Sequence, residues 1–335
     1  MRLVLASLVL WPALVAAAAP EQAPADAIAV RVARAAPDAP VCPGEPVALR
    51  LTLENRTGKP LMIPDWEFFA EMIDIRVRIT GYPGATGDDE PEKPRPPWEG
   101  RPFQARDFRE LPPGETAVMR SVTPMLPGKA CVTVTVYGPS AEYRALTDGR
   151  PQRVKNGWTG RAEAGLALEV PAAESAAMKD RYAECRERLR DPLVPAEQKG
   201  RLLVQVAGEK HYFAARFLRE AHDAIPAGPM RDAAIGGLLA LAKLGTGYEA
   251  APLLLKSMGD PNVAQPQREL ILAWAEESLA QKGRLPVADQ AWYTWPDEHL
   301  KAARAAIERL TGDRNPYLAA RAKEALRRLE KAARP

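Results

Sequence analysis

The apolar positions of this chain follow two different periods. From Ala27 to Val170 they recur at every second residue: Ile28, Val30 and Val32; Val47, Leu49, Leu51 and Leu53; Ile73, Ile75, Val77 and Ile79; Val118 and Val122; Val132, Val134 and Val136; Leu166, Leu168 and Val170. Alternation of this kind turns one face of a strand to a core and the other to water. Pro43-Gly44, Thr57-Gly58, Gly81, Pro113-Gly114 and Pro127-Gly128 supply turns between the runs. The spacing predicts six or seven short strands forming an antiparallel β-sandwich over 27–170. Between 81 and 106 the alternation stops, and Pro83, Pro91, Pro94, Pro96, Pro97 and Pro102 remove ladder donors, so a long Pro-rich loop is expected there.

After Pro171 the period becomes that of a helix. Phe213, Phe217, Leu218 and Ala221 form one apolar face, Ile235, Leu238, Leu239 and Ala242 another, then Leu270, Ile271, Trp274 and Ala275, and finally Leu318, Ala322, Ala325 and Leu329. Gly228-Pro229, Gly245, Gly259-Asp260-Pro261, Gly312 and Asn315-Pro316 punctuate these faces, the last pair fitting a cap followed by the first helical turn. About eight helices in antiparallel pairs are expected over 171–335.

The opening residues stand apart from both halves. Arg2 precedes an apolar run from Leu3 to Val15 and the small residues Ala16 to Ala19, the order of a secretory signal peptide cut after residue 19. The run is shorter than the roughly 18 to 20 residues of a transmembrane helix, and no later run approaches that length. Residues 20–26 are expected to be a disordered mature N-terminus, and the mature protein to be secreted or periplasmic. A composition rich in Ala, Arg and Pro fits a bacterial envelope. The formal charge of +3 gives no dense basic footprint, which argues against nucleic acid as a partner.

The stretch Ala233 to Asp260, AAIGGLLALAKLGTGYEAAPLLLKSMGD, resembles a HEAT-like repeat, with a first helix, a Gly turn, a second helix beginning near Pro252 and a closing Asp; Arg268 falls early in the next helix, as in that family. The resemblance implies an α-helical solenoid in which each helix pair buries its apolar face only against its neighbours. Val47 to Asn55 and Leu111 to Thr116 loosely resemble Ig-like accessory domains. If Cys42 and Cys131 stand on strands B and F of such a sandwich, both lie at one end of it and a Cys42–Cys131 disulfide is expected, the alternative being two unpaired thiols. Cys185 shares a helical stripe with Met178, Tyr182 and Leu189 and reads as a core residue.

The search for chemistry yields little. The three His residues, His211, His222 and His299, make no ligand set with Cys or with each other, and surface or helix-end roles are expected for each. No nucleophile elbow, Walker loop or dinucleotide Gly pattern occurs, and no cofactor or metal is implied. Asp65 and Glu67 share a strand face at roughly 7 Å, the basis of an alternative reading as an envelope hydrolase. Asp88, Asp89, Glu90 and Glu92, with Trp98, suggest another alternative: a small-ligand or calcium binder acting through the loop 81–106. Asn55-Arg56-Thr57 matches an N-glycosylation acceptor. Trp292, Tyr293 and Trp295 crowd an inter-helix segment, where aromatic side chains act either as anchors for a partner or as cover for a helix seam. The expectation is a noncatalytic protein outside the cytoplasm that binds another protein.

Overall fold

The computed structural model describes residues 24–65, 73–80, 103–104, 108–138, 144–147, 150–153, 156–281, 284–287, 291–294 and 297–332. The N-terminal half is built of strands β1 (Ile28–Arg34), β2 (Val47–Asn55), β3 (Leu61–Pro64), β4 (Ile73–Thr80), β5 (Phe103–Gln104), β6 (Phe108–Leu111), β7 (Gly114–Val122), β8 (Gly128–Tyr137), β9 (Arg144–Thr147), β10 (Arg150–Arg153) and β11 (Arg161–Val170). Two three-stranded antiparallel sheets, ordered β1-β2-β7 and β11-β8-β4, carry most of it. Smaller pairings join β3 to β6 antiparallel and β5 to β9 in parallel.

The alternation seen in the sequence is the burial pattern of these strands. Val47, Leu49, Leu51 and Leu53 of β2 and Val132, Val134 and Val136 of β8 all point into one apolar core. β1 lies alongside β11, which brings the two sheets together at that margin. Trp158, fully buried, donates from its indole nitrogen to the Ala25 carbonyl at 3.0 Å and ties the start of the described chain to this core.

The same alternation overturns the expected disulfide. Ala130, Val132, Val134 and Val136 face inward, so Cys131, between two of them, faces outward and is exposed. Cys42 is buried in the turn before β2, and both thiols are free. Burial pushes the Cys42 thiol up, with the Glu45 carboxylate adding to it. The Asn55 acceptor site is likewise closed. Asn55 is 3% exposed, its amide nitrogen donates to the carbonyls of Lys59 and Leu111 at 2.9 Å each, and its oxygen accepts from the Thr57 backbone and hydroxyl. An amide engaged on every side is a turn fastener, with no free nitrogen to modify.

Eight α-helices follow among the described residues: α1 (Ala176–Arg190), α2 (Ala196–Ala207), α3 (Tyr212–Ala224), α4 (Pro229–Lys243), α5 (Ala251–Met258), α6 (Gln265–Ala280), α7 (Asp297–Leu310) and α8 (Pro316–Ala332). Their ends are capped by local chemistry. The Ser175 hydroxyl accepts from the Met178 amide at 3.1 Å at the start of α1, and the Asn315 side chain accepts from Tyr317 and Leu318 at the start of α8. α2, α4, α6 and α8 form one row in which each contacts the next, and α5 contacts α7. Gly237 lets α4 approach both α3 and α2 closely, since a Cβ there would lie 2.9 Å from Leu218 of α3 and 3.1 Å from Ala207 of α2.

Met178, Tyr182 and Cys185 are buried together, as the stripe on α1 predicts. Arg268 is buried too. Its Nε donates to the Met258 carbonyl at 2.8 Å and its guanidinium pairs with Asp313, fastening the end of α5 to the turn before α8. Burial alone would raise the Asp313 carboxyl, but the Asn315 amide and Arg268 hold it below its usual range. No helix among the described residues is long and apolar enough to cross a membrane.

Between α6 and α7 the expected loop contains a hairpin, β12 (Arg284–Val287) paired with β13 (Ala291–Thr294). β12 lies beside α4, and β13 reaches back to β4 in the first half of the chain.

Candidate functional site

The sequence-predicted residues do not converge on one site. Trp292 and Tyr293 stand on β13, opposite Pro286 and Leu285, and Trp295 lies outside the described residues. Asp65 is half-buried with Arg109 at 3.8 Å, while Glu67 lies outside the described residues. The acidic run 88–92 and Trp98 lie outside them as well; Phe103 and Gln104 are the described residues of the loop 81–106. Among the described residues no group of three or more His, Cys, Asp or Glu side chains could hold a metal ion.

The structure assembles two other features. The first is the outward surface of the row α2, α4, α6 and α8. Val204 on α2 is 62% exposed, Leu270 on α6 48% and Tyr317 on α8 51%. Ala240, Ala273 and Ala320 are exposed on the same row. The sequence pattern places Leu270 with Ile271, Trp274 and Ala275 on a buried face, yet only the other three are buried. On α6 the exposed stripe is Pro266, Leu270, Ala273, Glu277 and Ala280, at helical spacing. The other helices expose Arg216, Arg219, Glu220 and Asp223 on α3, Lys256 on α5 and Lys301, Arg304 and Glu308 on α7. The row α2, α4, α6 and α8 is charged as well, exposing Glu197, Arg201, Lys243, Glu277, Lys323 and Arg328 among others, and what sets it apart is the three large apolar side chains exposed between these charges.

The second feature is a polar cluster where the two halves meet. Tyr182 of α1 donates to Glu209 Oε2 at 2.8 Å, His211 Nε2 lies 3.1 Å from the same oxygen, and Arg181 lies 2.6 Å from Glu209 Oε1. His211 is the N-cap of α3: its Nδ1 accepts from the Ala214 amide at 3.4 Å. An accepting Nδ1 places the ring proton on Nε2, where it is donated to Glu209. Burial works to raise the Glu209 carboxyl, and the hydrogen bonds from His211 and Tyr182 together with Arg181 more than offset it, so the group sits below its usual range. Tyr182 is pushed strongly upward by burial and then by the Glu209 carboxylate it serves. Its ring stacks on Phe217 at 5.1 Å.

From the β half, the turn at Gly44 presses on this cluster. Gly44 has φ +85, and a Cβ there would lie 2.4 Å from His211 Cδ2. The Gly44 amide donates to the Pro124 carbonyl at 2.7 Å, the Tyr212 amide to the Met125 carbonyl at 3.0 Å, and the Ser175 hydroxyl to the Glu45 carboxylate. His211 therefore holds a helix end, as its sequence position suggests, but it is buried. Nothing local in the sequence signals the wedge, because Gly44 and His211 belong to different halves. His222 and His299 are a helix-end and an early-helix residue respectively, His222 bonding Asp223 at 3.0 Å.

A shallow cleft lies between α3 and the turn after α4, lined by Tyr212, Arg216, Arg219, Thr246 and Glu249. Tyr212 donates to Glu249 Oε1 at 3.3 Å and Arg219 lies 3.8 Å from the same carboxylate, so its charges answer one another.

No protein-family model matches this chain, and no curated protein does. Among solved structures, a solution NMR structure and a crystal structure of the CARDB domain of PF1109 from Pyrococcus furiosus, the latter in complex with di-metal ions, each match 44% of this chain and 96% and 94% of their own, at 14% identity and a TM-score of 0.21. The native conformation of E. coli alpha-2-macroglobulin matches 92% of this chain at the same identity and TM-score, the match spanning 20% of the length of that protein. A likeness at that score carries no argument, and the architecture rests on the strands and helices themselves.

Proposed function

We propose that this protein is a noncatalytic scaffold outside the cytoplasm, in which a HEAT-like solenoid, held by an Ig-like sandwich, binds another protein. The observation that supports the reading is the exposure of large apolar side chains along the row α2, α4, α6 and α8. A helix of a monomeric domain gains by turning its large apolar residues inward, and Leu270 has Ile271 and Trp274 beside it that do so. Leu270, Tyr317 and Val204 are instead exposed along this row, with Ala240, Ala273 and Ala320 also exposed and charged residues around them. Apolar residues gathered on one face mark an interaction surface more often than singly scattered ones do. Small side chains between them let another backbone approach closely. The hairpin that carries Trp292 and Tyr293 is a second place for contacts, and its reach to β4 makes it equally a brace between the halves. The signal-peptide pattern of residues 1–19 supports a site for this binding in the periplasm or outside the cell.

The test is cross-linked capture in the native host, comparing the wild-type protein with Leu270→Glu plus Tyr317→Ala. Both residues are half exposed, so the fold should tolerate the change. Loss of a specific captured protein, with unchanged circular dichroism, supports the reading. An identical set captured by wild type and variant removes this face from the account.

A further inference from the structure

His211 occupies an unusual position for a titratable side chain. It caps α3 through an accepting Nδ1, it bonds Glu209 through Nε2, and it fills the space beneath the Gly44 turn. The next residue, Tyr212, donates its amide to Met125 in the β half. One imidazole ring thus lies at the join of a helix start and a contact between the two halves. We propose that His211 is a proton-operated latch: in its neutral form it locks the β half to the helices, and protonation on Nδ1 releases them.

The argument follows the proton. Nε2 already carries one, given to Glu209, so a second proton must go to Nδ1. There it meets the Ala214 amide, donor against donor, and the cap is lost. A positive charge at the first turn of a helix also opposes the helix dipole. The Gly44 turn packs closely over the ring, since a Cβ there would meet its Cδ2, Cγ and Nε2 within 3 Å. Relief requires the Gly44 turn to lift, which strains the Gly44–Pro124 and Tyr212–Met125 bonds together. The groups facing the ring are Tyr182 from α1, Glu209 from the turn before α3, and Arg181, which reaches it through Glu209. On the β side, Glu45 is adjacent in sequence to Gly44 and is engaged by Ser175. Glu209 attracts an imidazolium and holds it more strongly than the neutral ring, but it lies two residues from His211 on the helical side of the contact, so the pair is kept when the Gly44 turn lifts and does not hold the latch closed.

Amide hydrogen exchange on the full mature chain tests this. Protection of Gly44, Tyr212 and Ala214 is measured at pH 7.5 and 5.5, each corrected for intrinsic rate. If protonation opens the latch, exchange at these amides is several-fold faster at pH 5.5 than at pH 7.5, conditions that span the range in which imidazole side chains change charge. In His211→Asn, whose side-chain oxygen caps a helix at either pH, that difference should vanish. The Leu318 amide, capped by Asn315 at the far end, serves as the internal control and should not change. Equal protection at both pH values in the wild type overturns the proposal. Should His211→Asn fail to fold, wild-type NMR decides: the ring of His211 must titrate together with the loss of protection, and midpoints more than about one pH unit apart overturn it.

Discussion

Replacing Gly44 by Ala measures how tightly the two halves are wedged. Two costs fall on that substitution and they can be separated. The first is backbone: φ is +85, where an L residue pays about 1–2 kcal/mol. The second is steric, because the new Cβ would sit 2.4 Å from Cδ2 and 2.5 Å from Cγ of His211, a ring that Glu209 and Ala214 hold from both sides. Overpacking of a held side chain costs about 1–3 kcal/mol. Gly114 supplies the control. Its φ of +94 is similar, and a Cβ there has nothing within 4 Å. Gly114→Ala is therefore expected to lose the backbone part alone, and Gly44→Ala about 2–5 kcal/mol in all. Urea unfolding followed by circular dichroism, with the slope checked for two-state behaviour, gives both values. His211→Ala should recover the steric part when combined with Gly44→Ala, although it removes a cap as well. If Gly44→Ala and Gly114→Ala lose the same stability, the wedge is not tight and the reasoning fails.

Two further expectations concern the thiols and the acid limb. Native protein should show Cys131 reacting quickly with a thiol reagent and Cys42 and Cys185 protected, with three thiols counted after denaturation without reductant; a count of one would restore the bridge. Glu209 and Asp313 lie below their ordinary values of 4.5 and 3.8, so near and below those values the unfolded chain binds more protons than the folded one. Their stabilisation is thus complete above about pH 5 and is lost as the pH falls through the depressed folded values. Urea midpoints from pH 7 to pH 3 should drop on this limb, and less steeply in Asp313→Asn; an unchanged slope in that variant would count against the Arg268–Asp313 account.

Much of this architecture is written in local sequence. The period-two runs through Leu49, Leu51 and Leu53 and through Val132, Val134 and Val136 became buried strand faces, and the caps at Ser175 and Asn315 start the helices they precede. Local pattern carries this because side-chain direction along a strand or helix repeats with a fixed period. Even the fate of Cys131 was contained in it: a residue between inward Ala130 and Val132 must face out, a parity that pairing by strand position alone ignores.

Other features depended on which elements meet. Asn55 satisfies a glycosylation pattern, but its amide is engaged by Lys59 and Leu111, and the second of these comes from a distant strand. Leu270 has the spacing of a core residue and lies outward because the neighbouring helices contact the Ile271 and Trp274 side of α6. The seat of His211 under Gly44 arises only when the β half docks on α1 and α3. Sequence by itself determined the two periods, and through them the strands, the helices and most of the buried residues. The tertiary structure decided the wedge at the junction and the outward position of Leu270, because both are set by contacts between segments whose separation along the chain leaves no periodic trace.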